Sequence, residues 1–426
     1  MNVTVIGAGL AGCEAAYASA KNGAEVYLYE MKPKKFSPAH KISSFCELVC
    51  SNSLKSADIA TASGLLKKEM EHFGSVVIKT AYEAAVPAGG ALAVDREIFA
   101  SKVTEKILAI PNIHFINEEV NELPSTDKVI IACGPLVDTD SKLYEVIKAL
   151  TGKHHSFYDA AAPILTAESI DMNKAFYKAR YDKGGDDYIN CPMTKDEYLA
   201  FYRELISAER AVFHDNVDDP KVFEGCMPVE ILARRGEDAI RFGPLKPVGI
   251  TCPDGSKPYA LVQLRQDNKE GTLFNIVGFQ TNLRISEQKR VFSMIPGLEN
   301  AEFVRYGVMH KNLYIDAPNL LNNDFSLKNN PNIYFAGQIS GVEGYIESAM
   351  SGMIAGYSAS GMPLTLSKYT MMGSISNYIS GGSTGNFQPM PANFGIIPPL
   401  GEKIRNKKER YAAYSARSLE SLQEIL

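Results

Sequence analysis

The chain has 426 residues, 45% of them hydrophobic and 22% charged. This is the balance of a soluble globular protein, at a length that points to two or three domains. A net charge of −5 argues against a protein that coats nucleic acid non-specifically, and leaves RNA contact to local basic patches. No apolar run approaches the ~18 residues of a membrane span.

"NVTVI" (2–6) is a short β-rich run, and "GAGLAG" follows it at once. "CEAAYASAKNG" reads as an alanine-rich helix ended by Gly23, and "AEVYLYE" (24–30) as a second strand, completing a βαβ unit. Residues 58–74 and 95–108 read as helices, "IHFINEEVNEL" and "KVIIACG" (128–134) as strands. From about residue 163 the pattern becomes mixed, with the aromatic helix "KDEYLAFYRELISAER" and the strand-like "KPYALVQLRQDN". A strand–glycine–helix pattern returns at "NIYFAGQISGVEGYIESAMSGMIAG" (332–356). The segment 380–401 is rich in Gly and Pro and reads as a long loop. The tail from Glu402 reads as a charged helix.

Seven cysteines are scattered with no CxxC pair. This argues against a disulfide framework and a zinc ribbon, so no metal is expected. Reduced thiols, together with an N-terminus that has no basic region or cleavage site, point to the cytoplasm and to no membrane association.

Gly7, Gly9 and Gly12 form G-x-G-x-x-G between a strand and a helix, and Glu30 ends the next strand. The spacing predicts a dinucleotide cradle over Gly7, Ala8, Gly9, Leu10, Ala11 and Gly12. Gly7 makes the turn, Gly9 admits a pyrophosphate, Gly12 lets helix and strand pack, and Glu30 accepts from ribose hydroxyls. The helix N-terminus favours the phosphates. With "KVIIACG" and the 332–356 segment, this unit resembles the FAD-binding domain of the glutathione-reductase-like flavoproteins. That resemblance implies FAD as cofactor and adds Gly337, Gln338 and Glu343 to the binding residues. There is one full G-x-G-x-x-G, so NADH or NADPH is expected to bind transiently as reductant.

Three further stretches, "CELVCSNSL" (46–54), "FEGCMPVE" (223–230) and "QPMPANFGIIPPL" (388–400), resemble the folate- and FAD-dependent tRNA (uracil-5-)-methyltransferases, with similarity along nearly the whole chain. The resemblance implies a one-carbon unit passed from methylenetetrahydrofolate to C5 of a uridine, with reduced FAD as reductant. The expected target is the T-loop uridine of tRNA, with a ribosomal RNA uridine as alternative. No obligate protein partner is evident. The implied fold is α/β: a glutathione-reductase-like FAD-binding Rossmann domain (1–162 and 327–426) with an inserted smaller α+β domain (163–326).

C5 of uracil is a poor nucleophile until a thiolate adds to C6, so the chemistry asks for an activated cysteine. Cys226 precedes Pro228, which suits the first turn of a helix over "PVEILARR", whose positive end would favour the thiolate. Glu224 and Glu230 would oppose ionisation, while Arg234 and Arg235 would favour it or bind RNA phosphate. Cys50 precedes Ser51, Asn52 and Ser53, good N-cap residues before a helical pattern, and the resemblance places it against the flavin. Cys226 and Cys50 are the candidate catalytic residues. Cys46, Cys13 and Cys133 read as packing residues. Tyr345 is a candidate for stacking on flavin or folate, and Glu347 a further site candidate. Basic residues for RNA are Arg234, Arg235, Arg241, Lys246, Arg265, Arg284, Lys407, Lys408 and Arg410. The lysines of "MKPKKF" would be surface groups or meet the FAD phosphates. A flavin oxidoreductase acting on a small molecule would leave Cys226 idle. A wobble-uridine-modifying flavoprotein is expected to be substantially longer.

Overall fold

The polypeptide pairs its first strand with two partners that lie far apart in sequence. In the computed structural model, which describes residues 1–37, 39–152, 154–182, 185–211, 227–382 and 387–423, Asn2–Ile6 sits between Glu25–Tyr29 and Lys128–Ile131. Both pairings are parallel. Ile113–Ile116 extends the sheet on one side; Asn330–Phe335 and then Ser326–Leu327 extend it on the other. Only the last pairing is antiparallel. Strands such as Val3, Val5, Val26, Leu28, Ile130 and Ile131 are fully buried, as befits a sheet covered on both faces.

The covering helices follow from composition. Leu10–Lys21 is alanine-rich, ends at Asn22, and turns back through Gly23 at φ 83°. It packs against Tyr345–Ala359 at close range. A Cβ at Gly352 would come within 1.9 Å of the Ala11 carbonyl oxygen, and one at Gly356 within 2.5 Å of that of Ala15. Small residues on one helix let the two backbones approach, and the approach places the start of each helix at the same sheet edge.

The second sheet is antiparallel throughout, in the order Phe176–Tyr177, Tyr188–Met193, Ala260–Gln266, Leu273–Ile276, Ile164–Thr166, Phe303–Arg305. One face carries Ile189, Cys191, Val262, Leu264, Phe274 and Ile276, which join the aromatic helix Lys195–Ser207 in a separate apolar core. The other face carries a cross-strand row, Tyr188, Arg265, Asn275, Ile164 and Arg305. The chain enters this sheet along His154–Ala160 and leaves along Met309–Ile315, and those two strands pair with each other.

Several elements differ from the sequence reading. The strand at Ile113 stops at Ile116, because the Asn117 side chain donates to the carbonyls of Glu30 (2.9 Å) and Lys32 (2.6 Å) and turns the chain. Helices Val76–Glu83 and Lys142–Thr151, capped by Ser75 and Ser141, were not anticipated. The segment after Cys50 forms the strand Ser53–Ser56, paired with Ala91–Val94. Helix begins only at Ala62, with Thr61 as its cap. The terminal helix runs Lys407–Gln423.

Candidate cofactor and thiol site

Four parallel strands end at one edge of the first sheet: at Ile6, Tyr29, Ile131 and Phe335. The glycine loop, Glu30, Ala132–Gly134 and Gly337 therefore gather there, the edge at which open α/β sheets bind ligands. Gly7 turns the chain at φ 101°, and a Cβ on it would come within 2.5 Å of the Ala132 carbonyl oxygen. At Gly12 a Cβ would fall 1.7 Å from the Gly7 carbonyl oxygen. Gly9 differs. Its backbone lies at φ −75°, ψ −172° and a Cβ there would meet nothing within 4 Å. No protein neighbour demands glycine at Gly9, so the space a side chain would fill is open to a ligand. This fits a pyrophosphate resting on the start of Leu10–Lys21.

Glu30 is buried and already at work: Oε2 accepts from the Ala8 N–H at 2.9 Å and Oε1 from the Lys32 N–H at 3.0 Å. A carboxylate has acceptor capacity left after two such bonds, so the same group can hold the loop and receive a ribose hydroxyl. Ala8, Leu10 and Ala11 are buried; Ala11 makes the close approach to Gly352. Gly337 sits at φ 84° and donates its N–H to Ser351 Oγ at 2.7 Å. The lysines of "MKPKKF" are engaged within the chain: Lys32 Nζ donates to the Ser44 carbonyl, Lys34 Nζ to that of Asn117, and Lys35 pairs with Glu119 at 2.6 Å.

Gln338 Nε2 donates to Glu343 Oε2 at 2.6 Å. Burial, and then the charge of Asp159, pushes the Glu343 carboxyl up to about 8 from its ordinary 4.5. The folded protein then keeps a proton that the unfolded chain has lost. The contribution of Glu343 to stability is full below about pH 4.5 and is lost as pH rises through about 8. Glu343→Gln removes that ionisation. Its apo-protein is expected to lose less thermal stability than the unaltered chain between about pH 5 and pH 9; parallel melting curves across that range would contradict this.

Cys50 lies beside this edge on a loop held at almost every residue. The carbonyls of Leu48 and Cys50 accept from Arg96 Nη1 (2.6 Å) and Nη2 (3.4 Å), and that of Val49 accepts from Arg305 Nη2. The N–H groups of Cys50 and Ser51 donate to Tyr345 Oη at 2.7 and 3.2 Å. Arg265 donates to Ser51 Oγ at 2.8 Å and Asn52 Oδ1 at 3.1 Å. Cys46 and Lys55 bracket the loop at φ 53° and 64°. Such angles are uncommon outside glycine and persist where the surroundings enforce them. The Cys50 thiol donates to the Ala160 carbonyl at 3.4 Å.

These contacts correct two sequence expectations. Ser51–Ser53 cap no helix, since the side chains of Ser51 and Asn52 are taken by Arg265. Arg265 is turned inward, not toward RNA. Tyr345, the stacking candidate, accepts through its hydroxyl from the Cys50 loop, and burial pushes that phenol up. Lys55 joins Glu347 at 2.9 Å, and Glu347 Oε1 also accepts the Ala392 N–H at 2.9 Å. The first and third diagnostic stretches thus meet at the start of Tyr345–Ala359.

Cys226 lies outside the described residues, as does Glu224. The helix that follows is Val229–Ala233, five residues long with Pro228 at its N-cap. One turn carries little of the dipole expected from "PVEILARR". Glu230 is buried and turned to the Asn282 N–H and Thr281 hydroxyl. Cys13 and Cys46 are buried, and burial pushes the Cys133 thiol up to about 12. Of the remaining basic candidates, Arg241 lies 3.9 Å over the Tyr259 ring, Arg284 pairs with Glu209, and Arg410 donates to the Ile404 carbonyl. Arg234, Arg235, Lys246, Lys407 and Lys408 are exposed.

Sequence reasoning missed Arg96, Arg305, His40 and His310. His310 Nε2 is buried and has no hydrogen-bond partner among the described residues. Burial and Arg305 push its imidazole down to about 4. His40, bonded to Ser37 Oγ at 2.6 Å, is pushed to about 4 by burial and then by Lys32. Arg96, directly after the N-cap Asp95, carried a local signal; the others carried none. Among the described residues no cluster of ligands suits a metal ion, and no helix is long and apolar enough to cross a membrane.

Residues 2–364 match the profile of the GIDA family, "Glucose inhibited division protein A". The chain is 57% identical over 430 aligned residues to the methylenetetrahydrofolate--tRNA-(uracil-5-)-methyltransferase TrmFO of Acetivibrio thermocellus, covering 100% of this chain and 98% of the relative. It is 53% identical to the protein of that name from Lactobacillus gasseri, covering 99% and 97%. Two crystal forms of Aquifex aeolicus GidA share its fold at 15% identity, with TM-scores of 0.70 and 0.69, covering all of this chain and 76% and 73% of theirs. The strand-end cradle is thus set in a sequence alike from end to end, and the chain belongs to the GIDA family and, within it, to the methylenetetrahydrofolate--tRNA-(uracil-5-)-methyltransferases.

Proposed function

We propose that the protein methylates C5 of a tRNA uridine, the T-loop uridine, with methylenetetrahydrofolate as one-carbon donor, FAD as bound cofactor and NADH or NADPH as reductant. Identity of 57% across both full lengths is the observation that carries the reading. The open cradle at Gly9 supports the flavin. When bound and reduced, FAD supplies the two electrons that turn a transferred methylene into a methyl group.

The chain supplies the remaining chemistry. The Cys226 thiolate adds to uracil C6, and the C5=C6 electrons move toward O4 as an enolate. C5 then attacks the one-carbon unit, whose bond to the folate nitrogen breaks and leaves its electron pair there; C5 loses its proton to a base, and the C6–S bond breaks to return the thiolate. Cys50 works at the flavin side, on a loop held by Arg96, Arg265, Arg305 and Tyr345. Rigid placement of a reacting group is worth several kcal/mol of barrier, on the order of 7–11 in the best intramolecular cases. We assign residues 1–162 and 327–426 to the FAD-binding domain and 163–326 to an inserted domain that presents RNA. The two separate apolar cores support this division.

The test uses FAD-loaded protein with methylenetetrahydrofolate labelled in its methylene, a reduced nicotinamide and unmodified transcripts, read by nucleoside mass spectrometry. Label is expected in 5-methyluridine at the T-loop of tRNA. Label only in a ribosomal RNA fragment would move the target, and none in either would overturn the reading.

A further inference from the structure

Three arginines hold the Cys50 loop, and their charges are not equally spent. Arg96 is neutralised by Asp267 at 3.1 Å. Arg265, which also has no carboxylate within ion-pair distance among the described residues, spends its donors on three neutral side-chain oxygens, those of Ser51, Asn52 and Asn275. Arg305 donates to one carbonyl, that of Val49, and among the described residues no carboxylate lies within ion-pair distance of it. It is partly buried. A guanidinium removed from water without a counter-charge is costly. His310 and His40 are held neutral, and the carboxylate charge that reaches Arg305 comes from Asp267, already paired with Arg96. A chain that tolerates such a cation next to a loop thiol gains most when negative charge develops on the sulfur one residue away.

The strand register explains how Arg305 arrives there. Tyr188, Arg265, Asn275, Ile164 and Arg305 form one row across the second sheet. Arg265 and Arg305 stand three strands apart in that row, and they grip residues 51–52 and 49 from the two sides of Cys50. A shift in register between Phe303 and Arg305 lets Phe303 pack on the core face while Arg305 joins the row on the other.

We propose that Arg305 is the positioning residue for Cys50: its bond to the Val49 carbonyl sets the direction of the thiol, and its unneutralised charge stabilises negative charge as it develops on the sulfur. The proposal rests on the reading above that Cys50 takes part in methyl transfer.

The test compares FAD-loaded wild type, Arg305→Ala and Arg305→Lys. Flavin absorbance reports that each protein is assembled. Peptide mass spectrometry follows the rate at which iodoacetamide labels Cys50, and 5-methyluridine formation gives kcat and KM. Arg305→Ala is expected to slow Cys50 labelling and kcat by about tenfold, the scale of 1.4 kcal/mol, with KM little changed. Added guanidinium at sub-denaturing concentration should restore both in part, and Arg305→Lys should fall between. Labelling of Cys50 at the wild-type rate in Arg305→Ala would overturn the proposal. So would a lysine variant as impaired as alanine together with no rescue by guanidinium, the pattern of a packing role. If Arg305→Ala fails to retain flavin, Arg305→Lys decides by the same labelling rate. Wild type that forms no 5-methyluridine defeats the functional reading alone, because the labelling contrast does not depend on RNA.

Discussion

Cys226→Ala is expected to lower 5-methyluridine formation by on the order of 10³-fold or more, the scale seen when a covalent nucleophile is removed. It should also abolish the covalent adduct with 5-fluorouridine RNA. Fluorine at C5 cannot leave as a cation, so once the thiolate has added at C6 and C5 has taken up the one-carbon unit or a proton, the C6–S bond persists and the protein migrates with RNA on a denaturing gel. Cys50→Ala is expected to lose methyl transfer by a similar factor while still forming the adduct. The reason is spatial: Cys50 is fixed beside the strand-end cradle, its thiol on the Ala160 carbonyl, whereas Cys226 belongs to the segment leading into Pro228 and the second sheet's helices. An adduct in Cys226→Ala that disappears in Cys50→Ala would exchange the two roles. The helix after Pro228 is a single turn, so activation of Cys226, an ordinary thiol of pKa near 8.5 when free, has to come from other charges, RNA-bound or protein.

The second large effect separates two glycines that a motif treats alike. Gly9→Ala is expected to leave the apo-protein as stable as wild type, or more stable by about 0.4–1 kcal/mol, because φ −75° suits alanine and its Cβ would touch nothing. FAD affinity should nevertheless fall on the order of 100-fold, about 2.8 kcal/mol, since the methyl occupies the pyrophosphate's approach. Gly12→Ala is expected to destabilise the apo-protein itself by about 1–3 kcal/mol or more, because its Cβ would overlap the Gly7 carbonyl oxygen at 1.7 Å. Thermal melts of the apo-proteins and flavin titrations check both. A Gly9→Ala protein that binds FAD normally would show that the open space at Gly9 is not where the cofactor lies.

The glycine loop was legible because its cause is local. Strand, tight turn and helix start are written within a dozen residues, and Glu30 closes the unit at a fixed distance. The strand-end glycines at 134 and 337 were legible for the same reason. The Cys50 loop was legible as a motif and misread as a structure. Serines and asparagine after a cysteine look like caps, but their side chains are claimed by Arg265 from a strand more than two hundred residues later. Helices Val76–Glu83 and Lys142–Thr151 escaped because short amphipathic segments give little periodicity to read.

From the sequence alone come the βαβ cradle, the return of the strand–glycine–helix pattern near residue 332 and the cysteines that invite thiol chemistry. Each depends on residues near one another in the chain, where turn sterics and helix periodicity act. The tertiary structure alone decided that Arg96, Arg265, Arg305 and Tyr345 converge on one loop, that Arg305 has no ion-pair partner among the described residues, and that the "QPMPANFGIIPPL" stretch meets Lys55 through Glu347. Those outcomes depend on strand register and helix approach between segments hundreds of residues apart. No local preference records them, because the free energy that selects them appears only when both surfaces leave water together.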